Sequence, residues 1–139
     1  MTDTILPEDR RLSSLETNRL SMLALAHVGD AVYELMVRSM LAFEGPRTVN
    51  ELHRRTVAKV RAEAQARAAA AILPAMTEEE QAVYRRGRNS HVHGIPPHAN
   101  AAEYHSATGL EAVFGWLWLQ GKTERIRTLF AAAQGAEEL

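Results

Sequence analysis

Apolar residues recur with a helical period through most of the chain. Leu25, Val28, Val32, Leu35 and Met36 follow a 3.6-residue repeat within a stretch from about Asn18 to Ala42. That pattern predicts a long helix with one face turned to a core. Gly45-Pro46 stops it. Thr48-Val49-Asn50-Glu51 has capping-box spacing and opens a second helical stretch to about Ile72, with a break near Val60-Arg61. Pro74 ends that stretch. Thr77-Glu78-Glu79-Glu80 is a second capping box, and its acids suit the positive end of a helix dipole. Its helix is expected to reach about Gly87. Asn89 to Ala99 reads as a loop containing Gly94, Pro96 and Pro97, and loops this long are often functional. Helices are expected over Ala101–Leu119 and, past Gly121, from Thr123 to about Gln134. No alternating strand or Asn-Gly hairpin signal is present. The pattern predicts one all-α domain over residues 15–134, with a flexible leader at 1–14 and a frayed tail at 135–139.

Composition narrows the function classes. The chain has 139 residues, 46% of them hydrophobic and 24% charged, as in a globular domain. Cysteine is absent, which removes disulfides, thiolate catalysis and cysteine-based zinc sites. No apolar run is long enough to span a bilayer, and the N-terminus lacks the pattern of a secretory signal. A cytoplasmic protein with no membrane partner is expected. The net charge of -1 hides an asymmetry. Between Arg47 and Arg88 there are nine basic residues against five acidic ones. A basic centre in a near-neutral chain fits an anionic partner held on one side, and also an ordinary solvated surface.

Two acids, Asp30 and Glu34, stand four apart in the first long helix among apolar neighbours. A carboxylate there must be exposed, paired, protonated or metal-bound. Gly29 beside Asp30 costs the helix about 1 kcal/mol relative to alanine, which suggests another backbone close by. Glu111 lies between Gly109 and Gly115 in a later apolar helix. The expectation is that the two helices cross near Gly29 and Gly115 and bring Asp30 against Glu111. Two carboxylates held together suit Mg²⁺ and, beside a basic groove, phosphoryl chemistry. Arg54, Arg55, Lys59 and Arg61 lie along the second helix, where pairs such as Glu51 with Arg55 also read as surface salt bridges. Arg85, Arg86, Arg88, Asn89 and Ser90 form a phosphate clasp at a helix end, where the dipole alone also favours arginine. His91, His93 and His98 read as exposed loop residues rather than a metal tract. His27 lies beside the Asp30 face, and Phe114, Trp116 and Trp118 read as core or interface residues.

The stretch Leu25-Ala26-His27-Val28-Gly29-Asp30-Ala31-Val32-Tyr33-Glu34 resembles the signature helix of the ribonuclease III family. More narrowly, it resembles the short bacterial Mini-ribonuclease III branch, which lacks a double-stranded-RNA-binding domain. Asn50-Glu51-Leu52-His53, Arg85-Arg86-Gly87-Arg88-Asn89 and Thr108-Gly109-Leu110-Glu111-Ala112 agree in order and spacing. The resemblance covers about Ser21 to Phe130. It implies an all-α endonuclease domain working as a homodimer on double-stranded RNA, each site cutting one strand with Mg²⁺ and leaving 5′-phosphates. The implied substrate is precursor 23S ribosomal RNA. Asp30 and Glu111 match the catalytic, metal-holding carboxylates, with Glu34 a lesser metal candidate. Arg85, Arg86, Arg88, Asn89, Ser90, Arg54, Arg55 and Lys59 are assigned to the RNA, and no nucleotide cofactor is implied. Full-length members carry acids where this chain has Ala26 and Thr108. That departure keeps open a ribonuclease III-like module that binds RNA in ribosome assembly without cutting it. An all-α nucleotide pyrophosphohydrolase is a third reading, but the one acid cluster here, Glu78–Glu80, is explained as a capping turn.

Overall fold

The computed structural model describes residue 6 and residues 10–90, 94–95, 97 and 99–137. Among the described residues seven helices follow in order: α1 (Ser14–Thr17), α2 (Met22–Phe43), α3 (Val49–Val60), α4 (Ala62–Ile72), α5 (Glu78–Arg88), α6 (Ala101–Leu119) and α7 (Thr123–Glu137). A single 3₁₀ turn, Leu73–Ala75, joins α4 to α5. No strand occurs among the described residues. Three boundaries follow sequence chemistry. Ser21 accepts from the Ala24 amide and starts α2. Thr77 and Glu80 exchange both capping-box hydrogen bonds and start α5. Asn100 accepts from the amides of Ala102 and Glu103 and starts α6. At Thr48 only half of the expected box forms. Thr48 accepts from the Glu51 amide, while the Glu51 carboxylate turns to Arg55 at 3.0 Å. The expected break is at Arg61, whose extended backbone (ψ 155°) ends α3 and begins α4.

Helix α6 is the axis of the fold. Its sequence is apolar on nearly every side, the mark of a helix buried all round, and α2, α4, α5 and α7 all pack against it. Leu110, Ala112, Val113, Phe114 and Leu117 are buried. Tyr33 of α2 meets Phe114 edge-on (5.2 Å, 77°) and Phe130 of α7 (5.4 Å, 69°), a favoured aromatic geometry. The buried face of α2 is Leu25, Ala26, Gly29, Val32, Tyr33, Val37 and Leu41. Leu35, expected on that face, is 58% exposed. The face is turned so that Gly29, rather than a large side chain, lies against α6.

The segments from Arg10 to α1 and along α7 are both tied to the bundle. The Leu12 amide donates to the Leu119 carbonyl at 2.8 Å, and Ser13 caps α1. The part of the leader expected at 1–14 that is described from Arg10 onward is therefore tied to the end of α6. Helix α7 continues to Glu137, past the expected end at Gln134. Arg125 of α7 clasps the buried Glu80 through Nε at 2.8 Å and Nη2 at 2.9 Å, and Nη2 also donates to the Ala75 carbonyl. Burial pushes the Glu80 carboxyl up, but the hydrogen bonds from Arg125 and the Thr77 amide, with the Arg125 and Lys122 charges, bring it below its ordinary value.

The α2–α6 contact is made backbone to backbone. A Cβ on Gly29 would stand 1.6 Å from the Glu111 carbonyl oxygen, and a Cβ on Gly115 would stand 1.9 Å from the Leu25 carbonyl oxygen. Neither oxygen can move without parting the helices. Gly115→Ala is expected to destabilise the domain by about 4 kcal/mol or more, at the extreme for single substitutions, with a melting temperature lowered by about 10 °C or more. A Cβ at the exposed helical Gly135 meets nothing within 4 Å. Gly135→Ala is expected to be neutral or to stabilise by up to about 1 kcal/mol. Denaturant unfolding of both variants checks the contrast.

A candidate active site at a helix crossing

The crossing places two carboxyl groups side by side. Asp30 follows Gly29, and Glu111 supplies the carbonyl on which Gly29 rests. Asp30 is exposed and Glu111 is partly buried. Their side chains are in hydrogen-bond contact, and the Glu111 pKa is pushed up to about 9. Burial is the largest cause, followed by the hydrogen bond to Asp30 and the repulsion of its charge. At neutral pH the protonated form of Glu111 is therefore favoured.

Residues one turn before each carboxyl add no further acid. Ala26 and Thr108 are buried there, and the Thr108 hydroxyl donates to the Tyr104 carbonyl at 3.0 Å. Among the described residues no group of three His, Asp or Glu side chains is arranged to hold a metal ion. Glu34 lies one turn beyond Asp30, but its carboxylate pairs with Arg38 at 2.7 Å. Glu34 thus faces Arg38 on the exposed side of α2. Sequence reasoning missed Arg38, although its i,i+4 spacing from Glu34 was the available signal.

The expected phosphate contacts divide into two groups. Arg85, Arg86, Arg88 and Asn89 lie at the end of α5, where Arg85, Arg86 and Asn89 are exposed. That end is pressed onto the turn of α6 that carries Glu111. A Cβ on Gly87 would lie 2.9 Å from the Ala112 Cβ, and one on Gly109 would lie 2.7 Å from the Tyr84 carbonyl oxygen. Arg88 lies over the Tyr84 ring at 5.7 Å. The Ser90 hydroxyl donates to the Arg86 carbonyl at 2.8 Å and closes the turn. The α3 group also has partners within the protein. Arg55 and Arg54 lie 3.0 and 3.9 Å from the Glu51 carboxylate. Lys59 donates to Gln134 of α7 at 3.3 Å, and Gln134 donates to the Tyr33 hydroxyl at 3.4 Å. Lys59 thus ties α3 to α7. His27 is exposed one turn before Asp30. Trp116 is buried and donates through Nε1 to Asn18. His91, His93 and His98 lie outside the described residues.

Residues 23–122 match the ribonuclease III domain family. The chain belongs to the ribonuclease III family. Within this family it is 47% identical over 114 residues to Mini-ribonuclease 3 of Symbiobacterium thermophilum, covering 82% of this chain and 88% of that one. It is 42% identical to Mini-ribonuclease 3 of Enterococcus faecalis, over 80% of this chain and 86% of the relative. A crystal structure of a Fusobacterium nucleatum protein superposes with a TM-score of 0.76 at 30% identity, over 84% of this chain and 93% of that one. The all-α ribonuclease III fold and a ribonuclease III-type endoribonuclease activity follow. No helix among the described residues is long and apolar enough to cross a membrane.

Ribonuclease III enzymes break phosphodiester bonds, a step that needs negative charge neutralised at the reacting phosphate. The Asp30–Glu111 donor set fits a hard divalent cation: two carboxylates with a solvent-facing side, the pattern that suits Mg²⁺ with retained waters. Either a proton or a cation must relieve the repulsion within the pair. The raised pKa of Glu111 has a stability consequence. Its protonated form is favoured in the fold, so its contribution is complete below pH 4.5 and is lost as pH rises toward about 9. In EDTA, unfolding free energy is expected to fall across this interval. Glu111→Gln is expected to remove that part of the slope. Chemical denaturation at several pH values measures both.

Proposed function

We propose that this ribonuclease III family member is a Mg²⁺-dependent endonuclease of double-stranded RNA. It acts as a homodimer in the cytoplasm and matures precursor 23S ribosomal RNA at its base-paired stems. The observation that carries the reading is the Asp30–Glu111 pair at the α2–α6 crossing, with the arginine-bearing end of α5 packed on the α6 turn that holds Glu111.

Asp30 and Glu111 would hold the cation. A divalent cation bound there supplies a Lewis acid for the scissile phosphate and for the attacking water. The residues of the chain do the rest. Glu111 must surrender its proton before the pair can bind a cation with both carboxylates, so binding is favoured by rising pH. Arg85, Arg86 and Arg88 present guanidinium groups to the RNA backbone, and the Ser90–Arg86 hydrogen bond fixes the turn that displays them. Recognition through backbone and shape suits duplex RNA, whose deep major groove is closed to side chains.

The outer side of α2 supports the dimer. Leu23, Ala24, His27, Ala31 and Leu35 are all exposed along it, with Leu23 at 43% and Leu35 at 58%. Such a face on a 22-residue helix suits a two-fold contact with a second copy. Because Asp30 borders this face, the contact would set two carboxylate pairs on one duplex.

The test uses a labelled generic duplex and a ribosomal precursor stem at low salt, with Mg²⁺ or with EDTA. Cutting by the unaltered protein is expected with Mg²⁺ and not with EDTA. Asp30→Asn and Glu111→Gln should each lower the rate by about a thousandfold or more, equivalent to about 4 kcal/mol. Light scattering should give twice the 15.4 kDa chain mass. Retention of both RNAs without cutting would instead make the protein an RNA-binding module and place the cause at Ala26 and Thr108.

A further inference from the structure

Arg38 has no part in the chemistry at Asp30 and Glu111, yet it lies on the same stripe of α2. Asp30, Glu34 and Arg38 succeed one another at four-residue steps. Eight residues of helix put Arg38 about 12 Å beyond Asp30 along the axis. At that level α3 passes beside α2 and leaves a notch of about 230 Å³, lined by Arg38, Val49, Leu52, His53 and Thr56. Val49 and Leu52 make its apolar part. The Thr56 hydroxyl is spent on the Leu52 carbonyl at 2.8 Å. Arg38 and His53 remain as the groups that can donate to a ligand there.

Arg38 is held at this place without being committed to it. Its partner is Glu34 at 2.7 Å, and the two side chains are 61% and 36% exposed. An exposed pair of this kind is weak, and a phosphate offers guanidinium the same two-pronged acceptor with greater charge.

We infer that Arg38 and His53 form a second anchor for the RNA backbone, gripping a phosphate about 12 Å along α2 from the one attacked at Asp30 and Glu111. This inference rests on the reading of the chain as a duplex-RNA endonuclease. Glu34 is then a positioning residue that keeps Arg38 pointed at the notch until RNA arrives. Continuity with the carboxylate pair and the donor character of both side chains favour a nucleic-acid backbone over a protein segment. An anchor at this distance sets which backbone phosphate reaches the pair.

The experiment measures binding of a fluorescent RNA duplex by anisotropy in the Asp30→Asn background, so that cleavage is not required. Arg38→Gln is expected to weaken binding by about tenfold near 0.1 M salt and to reduce the salt slope by about one. Arg38→Lys should recover most of the affinity, because a phosphate accepts either cation. His53→Gln should cost a smaller factor, about threefold, in line with one neutral hydrogen bond. With Asp30 restored, the Arg38→Gln loss should fall on KM rather than on kcat. Unchanged affinity and slope in Arg38→Gln would overturn the inference. So would a weakening that tracks conversion of dimer to monomer in light scattering, which would make the notch a contact between copies. Cutting that persists in Asp30→Asn would sink the catalytic reading alone and leave the binding comparison intact.

Discussion

Everything at the site depends on one close approach, the contact of α2 and α6 at Gly29 and Gly115. It is reciprocal: each glycine rests on a carbonyl of the other helix, that of Glu111 or of Leu25. Side chains normally hold helices 8–10 Å apart. Removing them from both sides at one point lets the two backbones touch, and the residues beside the glycines inherit that proximity. Asp30 and Glu111 are therefore set by main chain, not by long flexible arms. A site positioned in this way has little freedom to drift, which suits chemistry that needs two oxygens at a fixed separation.

The same device recurs on the next face of α6. Gly87 and Gly109 let α5 settle against the turn that bears Glu111. One helix thus receives the acidic partner on one side and the basic turn on another. The basic residues of the chain are sorted by what this packing leaves open. Those on α3 have Glu51 and Gln134 beside them, whereas Arg85 and Arg86 lie exposed at the end of α5. Charge counts along the sequence cannot make that distinction, because it depends on which acids and amides the fold brings within reach.

Much of this is legible in the sequence. The capping chemistry at Thr77 and the bounds of α6 can be read directly, since both rest on local hydrogen bonds and periodicity. The crossing of Asp30 with Glu111 is legible because a glycine weakens an apolar helix unless a second backbone occupies the space it leaves. The turned face of α2, with Leu35 outside, is not. Apolar spacing gives a stripe about 100° wide, while the glycine contact chooses the edge of that stripe that touches α6. Arg38 is hidden because Glu34, its partner, also has the chemistry of a metal ligand. The Lys59–Gln134 hydrogen bond is likewise not legible, because the two residues lie 75 apart in sequence.

The proton favoured on Glu111 also bears on how a polyanion first meets the protein. With Glu111 neutral at physiological pH, the cleft carries one negative charge fewer than its two acids would give it. Repulsion of an incoming nucleic acid is reduced before any cation has arrived. If the pair does hold a cation with both carboxylates, as proposed, each cation that enters releases the Glu111 proton to the solvent.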